Sequence, residues 1–201
     1  MPNLNRQLGI RLPLVLASGS PRREKLLKSV GFDFSIFKPE IDEDNISGSH
    51  TPATYVCKLA ETKAWHSAEH IVQDSVVISA DTIVAYNEVI LGKPDSPIEA
   101  IQMLQMLSGK THSVYTGYCI LDMQSKTSII NHCKTDVTFR ELEEEEIERY
   151  VNSGSPMDKA GSYGIQEDLG SVFVESIKGD YFNVVGLPLQ MVYMSLKNMS
   201  I

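Results

Sequence analysis

The stretch Pro13–Gly31, "PLVLASGSPRREKLLKSVG", decides how the fold is read. Its opening, "PLVLA", is a short unbroken apolar run closed by Ser-Gly-Ser, the pattern of a buried strand. Ser20 has the side chain of an N-cap and Pro21 suits the first helical position, which predicts a helix from Pro21. Leu26, Leu27 and Val30 give that helix an apolar face, and Gly31 gives it a stop. The unit is strand, Gly-Ser turn, helix. Arg22 and Arg23 then fall in the first helical turn, where unpaired N–H groups carry partial positive charge and acids are favoured. The mismatch has two readings. Either both guanidinium groups lie in solvent, or they converge with the N–H groups on an anion.

Downstream, "FDFSIF" alternates like a strand and leads into the acidic loop "KPEIDEDNISGSH". Thr51 and Pro52 mark the cap and first position of a helix with Val56, Leu59, Ala60 and Ala64 as its apolar stripe. Lys63 falls on that stripe, so it either snorkels to solvent or faces a site. "SVVISADTIVAY" is a β-branched run with one acid, Asp81, at its middle, and a tight turn is expected at Asn87. A carboxylate there is costly to bury alone, which leaves a bend facing a cleft, a contact with a cation, or a structural turn. "SPIEAIQMLQMLSGK" reads as a helix with a Ser-Pro-x-Glu capping box and a Gly109 stop. "THSVYTGYCILDM" and "TSIINHCKTDVTFR" read as an antiparallel pair, with His112 a structural residue of the first strand. "ELEEEEIERY" reads as a helix whose acids suit its first turns and otherwise face solvent. After a glycine-rich segment come a strand from about Ser171, a turn at Lys178–Asp180 and a closing helix from Pro188. Alternating strands and helices followed by antiparallel pairs predict an α/β fold with a mixed sheet, in two lobes with a cleft between.

Composition narrows the classes. A chain of 201 residues with 42% apolar content has material for a proper core. A net charge of −8 argues against holding a nucleic acid polymer by its phosphates, though a free nucleotide with its own metal remains compatible. Three cysteines without CxxC spacing suggest neither a disulfide framework nor a zinc site, and fit a reducing cytoplasm. No segment approaches the roughly 20 apolar residues of a membrane span. The expectation is a soluble cytoplasmic protein.

Arg22, Arg23, Glu43, Lys63, Asp81, Lys93, Lys159 and Gln166 lack a plain core or surface role. The cations and the helix start can neutralise a polyphosphate, while the carboxylates can hold Mg²⁺ or Mn²⁺ or take a proton from water. Phosphoanhydride hydrolysis needs that combination. There is no Walker A string and no GxSxG elbow, and the five histidines show no telling context.

The strings "LASGSPRREKLL", Asp42-Glu43, "LAETKA", "SADTIV", "LGKP", "LSGKTHSVYTG", "DKAGSYGIQ" and "NVVGLPL" stand in the order found in the Maf family of nucleoside triphosphate pyrophosphatases, and the resemblance covers nearly the whole chain. It implies one elongated, two-lobed Maf-like (inosine triphosphatase-like) domain over residues 1–201 with a central cleft, and hydrolysis of a nucleotide between its α- and β-phosphates. By motif, Asp81 resembles the general base and Glu43 the metal-site acid, with Asp81 also on the metal. Lys93 resembles a transition-state partner, and Ser18, Arg22, Arg23, Lys63 and Lys159 resemble substrate ligands. Thr82 and Gln166 resemble the positions that, with Arg22, select dTTP and UTP. A divalent cation, Mg²⁺ or Mn²⁺, and a homodimer are implied, with no nucleic acid polymer and no membrane as partner. The alternative is a nucleotide-binding regulator of septum formation without significant turnover. Two departures stand out: Ser79 replaces a common Gly, and the acids Glu167 and Asp168 follow Gln166.

Overall fold

Helix α1 (Leu4–Gln7) precedes strand β1 (Leu14–Ala17), helix α2 (Pro21–Ser29) and strand β2 (Ser35–Phe37) in the structure, a computed structural model that describes residues 4–41 and 51–199. Glu43 and the rest of residues 42–50 lie outside the described residues. Strand β1 is buried at all four positions, as its unbroken apolar run requires. Helix α2 ends in a Schellman motif: Gly31, at φ 93°, donates its N–H to Lys28 O, and Phe32 donates to Leu27 O.

The remaining strands and α-helices are α3 (Pro52–His70), β3 (Val76–Tyr86), β4 (Val89–Leu91), α4 (Pro97–Leu107), β5 (Thr111–Asp122), β6 (Thr127–Phe139), α5 (Glu144–Asn152), α6 (Gly170–Phe173), β7 (Val174–Lys178), α7 (Tyr181–Val185) and α8 (Leu189–Asn198). The sheet has the order β2-β1-β3-β5-β6-β7, with β4 against β3. Strand β1 runs parallel to both its neighbours, whereas β3–β4 and β6–β7 are antiparallel. Hydroxyl contacts of Thr111 with Thr138 and of Ser113 with Asp136, both 2.8 Å, set β5 and β6 antiparallel as well. The sheet is therefore mixed and the fold α/β. Asn87 and Glu88 both have positive φ between paired Tyr86 and Val89, a two-residue hairpin turn where the sequence places one.

Two compact units divide the chain: Met1–Asp81 with Thr116–Cys133 and Gly186–Ile201, and Thr82–Tyr115 with Lys134–Val185. In the first, Val15, Ala17, Val77, Cys119 and Leu121 pack on Ala60 and Ala64 of α3. Tyr118, pointing to the other side of β5, meets Ser195 Oγ of α8 at 2.8 Å. Helices α3 and α8 thus cover opposite faces of this part of the sheet. At Gly117 of β5 an added Cβ would lie 2.4 Å from the carbonyl carbon and oxygen of Val56 in α3. Only a residue without a side chain lets the helix backbone come so near.

In the second unit, Val84, Leu91, Leu104, Leu107, Val137 and Phe139 join Ile147 and Tyr150 of α5 in one core. His112 is buried there as the strand reading implied. Its Nε2 meets Tyr163 Oη at 2.8 Å, its ring lies edge-on to Phe139, and its Nδ1 has no hydrogen-bond partner.

Three local expectations need correction. The last strand begins at Val174, because Gly170–Phe173 winds into α6 and the short apolar run "SVFV" does not separate helix from strand. Ser96 does accept from Glu99 N–H at 3.2 Å, but the Glu99 carboxylate takes the Asp95 N–H at 2.7 Å, so only half of the capping box forms. On acidic α5, Glu146 is not simply solvated: Arg140 grips both its oxygens at 2.7 and 2.8 Å and holds its carboxyl down at about 2.

Two predictions follow from this packing. Gly117→Ala forces backbone apart and should lower unfolding stability by about 1–3 kcal/mol or more, measured by urea denaturation. Burial pushes His112 down from 6.5 to about 4, partly offset by Asp136. Between those values the unfolded chain takes the proton more readily than the folded one. Its contribution is fully present above pH about 6.5 and drains away, by on the order of 3 kcal/mol, as pH falls to about 4. His112→Gln should flatten stability against pH over that interval; an unchanged slope would exonerate the imidazole.

Candidate functional site

Five of the residues singled out from the sequence lie in the first unit: Ser18, Arg22, Arg23, Lys63 and Asp81. Ser18 follows β1 directly and is buried, and its hydroxyl accepts from Ser20 N–H and from Arg23 Nη1, each at 3.2 Å. Ser20 occupies the N-cap with extended backbone, yet its side chain makes no capping bond. The expected cap is thus only a backbone one. Pro21 opens the helix, and the first i to i−4 bond runs from Glu24 N–H to Ser20 O. The two arginines differ. Arg23 Nε donates to Gly186 O at 2.8 Å, fastening the start of α2 to the segment before α8, while Arg22 is half-buried in the same turn. Gly186 belongs to the string "NVVGLPL", whose contribution here is a backbone carbonyl that no side-chain pattern could have disclosed.

Asp81 sits within the unbroken strand β3, buried, and Lys63 Nζ of α3 lies 2.6 Å from its Oδ1. Of the readings open from sequence, contact with a cation is the one realised. The pairing follows from two periodicities. Residues 79 and 81 share a strand face, residues 60 and 63 share a helix face, and Ser79 Oγ donates to Ala60 O at 2.5 Å beside the ion pair. The substituted Ser79 therefore adds a second tie between β3 and α3. Both members of the ion pair have side chains only 12% exposed, so each offsets the other's desolvation.

The remaining described candidates lie in the second unit. Lys93 is exposed on the loop after β4, and that loop is tied by Gly161 N–H to Gly92 O at 3.0 Å. Lys159 is 6% exposed, with Nζ bonded to Ser155 O at 2.5 Å and Asp158 at 2.7 Å and 3.4 Å from Glu167. Glu167 in turn accepts from Gln166 Nε2 at 3.0 Å. The buried ammonium is thus matched by protein carboxylates, and the acid after Gln166 links the two. Thr82 continues β3 past Asp81 and is half-buried. Sequence reasoning also passed over Asn183, which is fully buried and donates to Val114 O and to Thr135 Oγ1, pinning α7 to strands β5 and β6.

The first unit thus holds a helix start without a side-chain cap bond, two arginines in its first turn, a buried serine beside it and a strand carboxylate held by a lysine. The three cysteines are all free, and burial pushes the Cys119 thiol up to about 12, which keeps it protonated. Residues 13–199 match the Maf-like protein family, and the chain belongs to that family. Among its curated relatives, the dTTP/UTP pyrophosphatase of Bacillus cereus (strain AH820) is 49% identical over 188 residues, 94% of this chain and 96% of its own. The protein of the same name from Bacillus anthracis matches with the same identity and coverage. A solved nucleoside-triphosphatase / dITP/XTP pyrophosphatase from Mycobacterium abscessus superposes with a TM-score of 0.41 and 13% identity over 65% of this chain and 76% of its own.

Lys63→Met leaves the Asp81 carboxylate buried without its partner and should cost about 3–5 kcal/mol. Adding Asp81→Asn should recover part of that loss, because the two changes share one interaction. Strictly additive effects in urea denaturation would show that the contact is not coupled.

Proposed function

We propose that this protein hydrolyses nucleoside triphosphates, preferably dTTP and UTP, to the monophosphate and pyrophosphate. The observation that carries the reading is the near-half identity, along 94% of the chain, with relatives named dTTP/UTP pyrophosphatase. Physical chemistry supports the assignment of roles. Arg22 and the first turn of α2 bind phosphate oxygens, and Ser18 and Arg23 hold that turn in shape. Asp81 orients and deprotonates the water that attacks the α-phosphorus, and pyrophosphate leaves. Lys63 keeps the carboxylate pointed, so it acts as a positioning residue. Lys93, exposed and cationic, stabilises charge that grows on the phosphates. Lys159, already neutralised, serves by setting Glu167 and so Gln166, to which the base preference is assigned together with Thr82.

A divalent cation completes the reading. Hard cations such as Mg²⁺ are held by one or two carboxylates together with phosphate oxygens. Asp81 fits that donor requirement, since Lys63 engages one oxygen of a two-oxygen group, and Glu43 is assigned as the second acid. When bound, Mg²⁺ or Mn²⁺ neutralises phosphate charge.

Asp81→Asn tests the assignment while nearly preserving size. It should leave nucleotide Kd nearly unchanged and lower kcat by about 10² to 10⁴, the range for a positioned base. Release of pyrophosphate from UTP with Mg²⁺ or Mn²⁺ is the assay. Orthophosphate as the product would point to a phosphatase, and binding of UTP without turnover by the wild-type chain would favour a nucleotide-sensing regulator.

A further inference from the structure

We propose that the last turn of α3 is a surface binding site for a transition-metal dication such as Zn²⁺, Ni²⁺ or Cu²⁺, formed by His66, Glu69 and His70. Among the described residues these three are the one group whose ligand atoms, one from each side chain, all lie within 4.8 Å of one another. Their spacing, i, i+3 and i+4, sets all three on one face of the helix.

The ring arrangement prepares the site. His70 Nδ1 lies 2.8 Å from His66 O, and a carbonyl can only accept, so Nδ1 of the neutral ring carries the hydrogen. The same bond leaves Nε2 with a bare lone pair and fixes its direction, as carbonyl partners do for metal-bound histidines. The two imidazoles stand with centroids 4.6 Å apart, and Phe37 stacks on His70 with centroids 6.1 Å apart. Glu69 and His70 are exposed and His66 half-buried, so an ion can reach the group from solvent.

Charge and donor chemistry select the ligand. Helix α3 ends at His70, and the negative end of a helix favours a cation beside its final carbonyls. Two imidazoles and one carboxylate suit Zn²⁺, Ni²⁺ or Cu²⁺, whereas Mg²⁺ prefers oxygen alone. Three protein donors leave room for water. The site therefore differs in residues and in metal class from the acids assigned to the substrate's cation. A bound ion would clamp the end of the helix that carries Lys63.

The chain contains a single tryptophan, Trp65, next to His66 and 38% exposed, which gives the test a local reporter. Cu²⁺ titrated into the tag-free full chain should quench Trp65 fluorescence with one equivalent bound, and diamagnetic Zn²⁺ added first should block the quenching. The double variant His66→Gln/His70→Gln should weaken the apparent Cu²⁺ affinity by about tenfold or more, since even indirect partners of a metal ligand matter on that scale. Its Mg²⁺-supported UTP hydrolysis and urea midpoint without metal should match wild type. Asp81→Asn should retain the quenching at the original midpoint, which separates this site from the catalytic cation. No quenching in the wild-type chain, the same midpoint in the double variant, or loss of quenching in Asp81→Asn would overturn the proposal.

Discussion

The approach of α3 to the sheet at Gly117 is the constraint on which the first unit rests. Helix backbone faces strand backbone there with no side chain between, which brings α3 close against β5. At that separation two polar ties can close, Ser79 Oγ to Ala60 O and Lys63 to Asp81 Oδ1. A buried ion pair is worth little unless its geometry is good. Small residues along the helix stripe, Ala60 and Ala64, carry on the packing against Val15, Ala17, Val77, Cys119 and Leu121. The core and the charged pair are thus parts of one fit, and a shift of the helix would be felt first by the carboxylate.

The same economy governs the two arginines. A helix that begins without a side-chain cap forgoes about 1 kcal/mol. Here the open turn is steadied from outside, by Arg23 reaching Gly186 O and Ser18 Oγ. Arg23 thereby braces the turn against the segment before α8. Lys159 follows a similar course: burial made its charge expensive, and Asp158 and Glu167 offset it.

Much of this was legible in the chain itself. The strand-turn-helix at Pro13–Gly31, the Thr51-Pro52 helix start, the hairpin at Asn87 and the closing helix after Pro188 all depend on local rules of capping, turn geometry and apolar period. Asp81 and Lys63 were conspicuous as charges on apolar faces, but their partnership was not, because it joins residues 18 apart through tertiary packing. Gly186 was invisible for a plainer reason, since its part is played by a main-chain oxygen. The failures fell where local signals are weakest. "SVFV" is too short to choose between helix and strand, and Glu99 had two N–H groups within reach. Histidines 66 and 70 looked unremarkable until the helix brought them onto one face.

The glycines also divide by what holds them in place, and this bears on how the chain can drift. At Gly117 every other amino acid collides with the protein's own backbone, so purifying selection there acts through folding. Gly92, beside Lys93, has ordinary backbone torsion and open space where a side chain would go. The folded chain leaves room there for at least a β-carbon. An invariant glycine at 92 among descendants would then record the close approach of something other than the protein, leaving the imprint of a ligand in the pattern of inheritance.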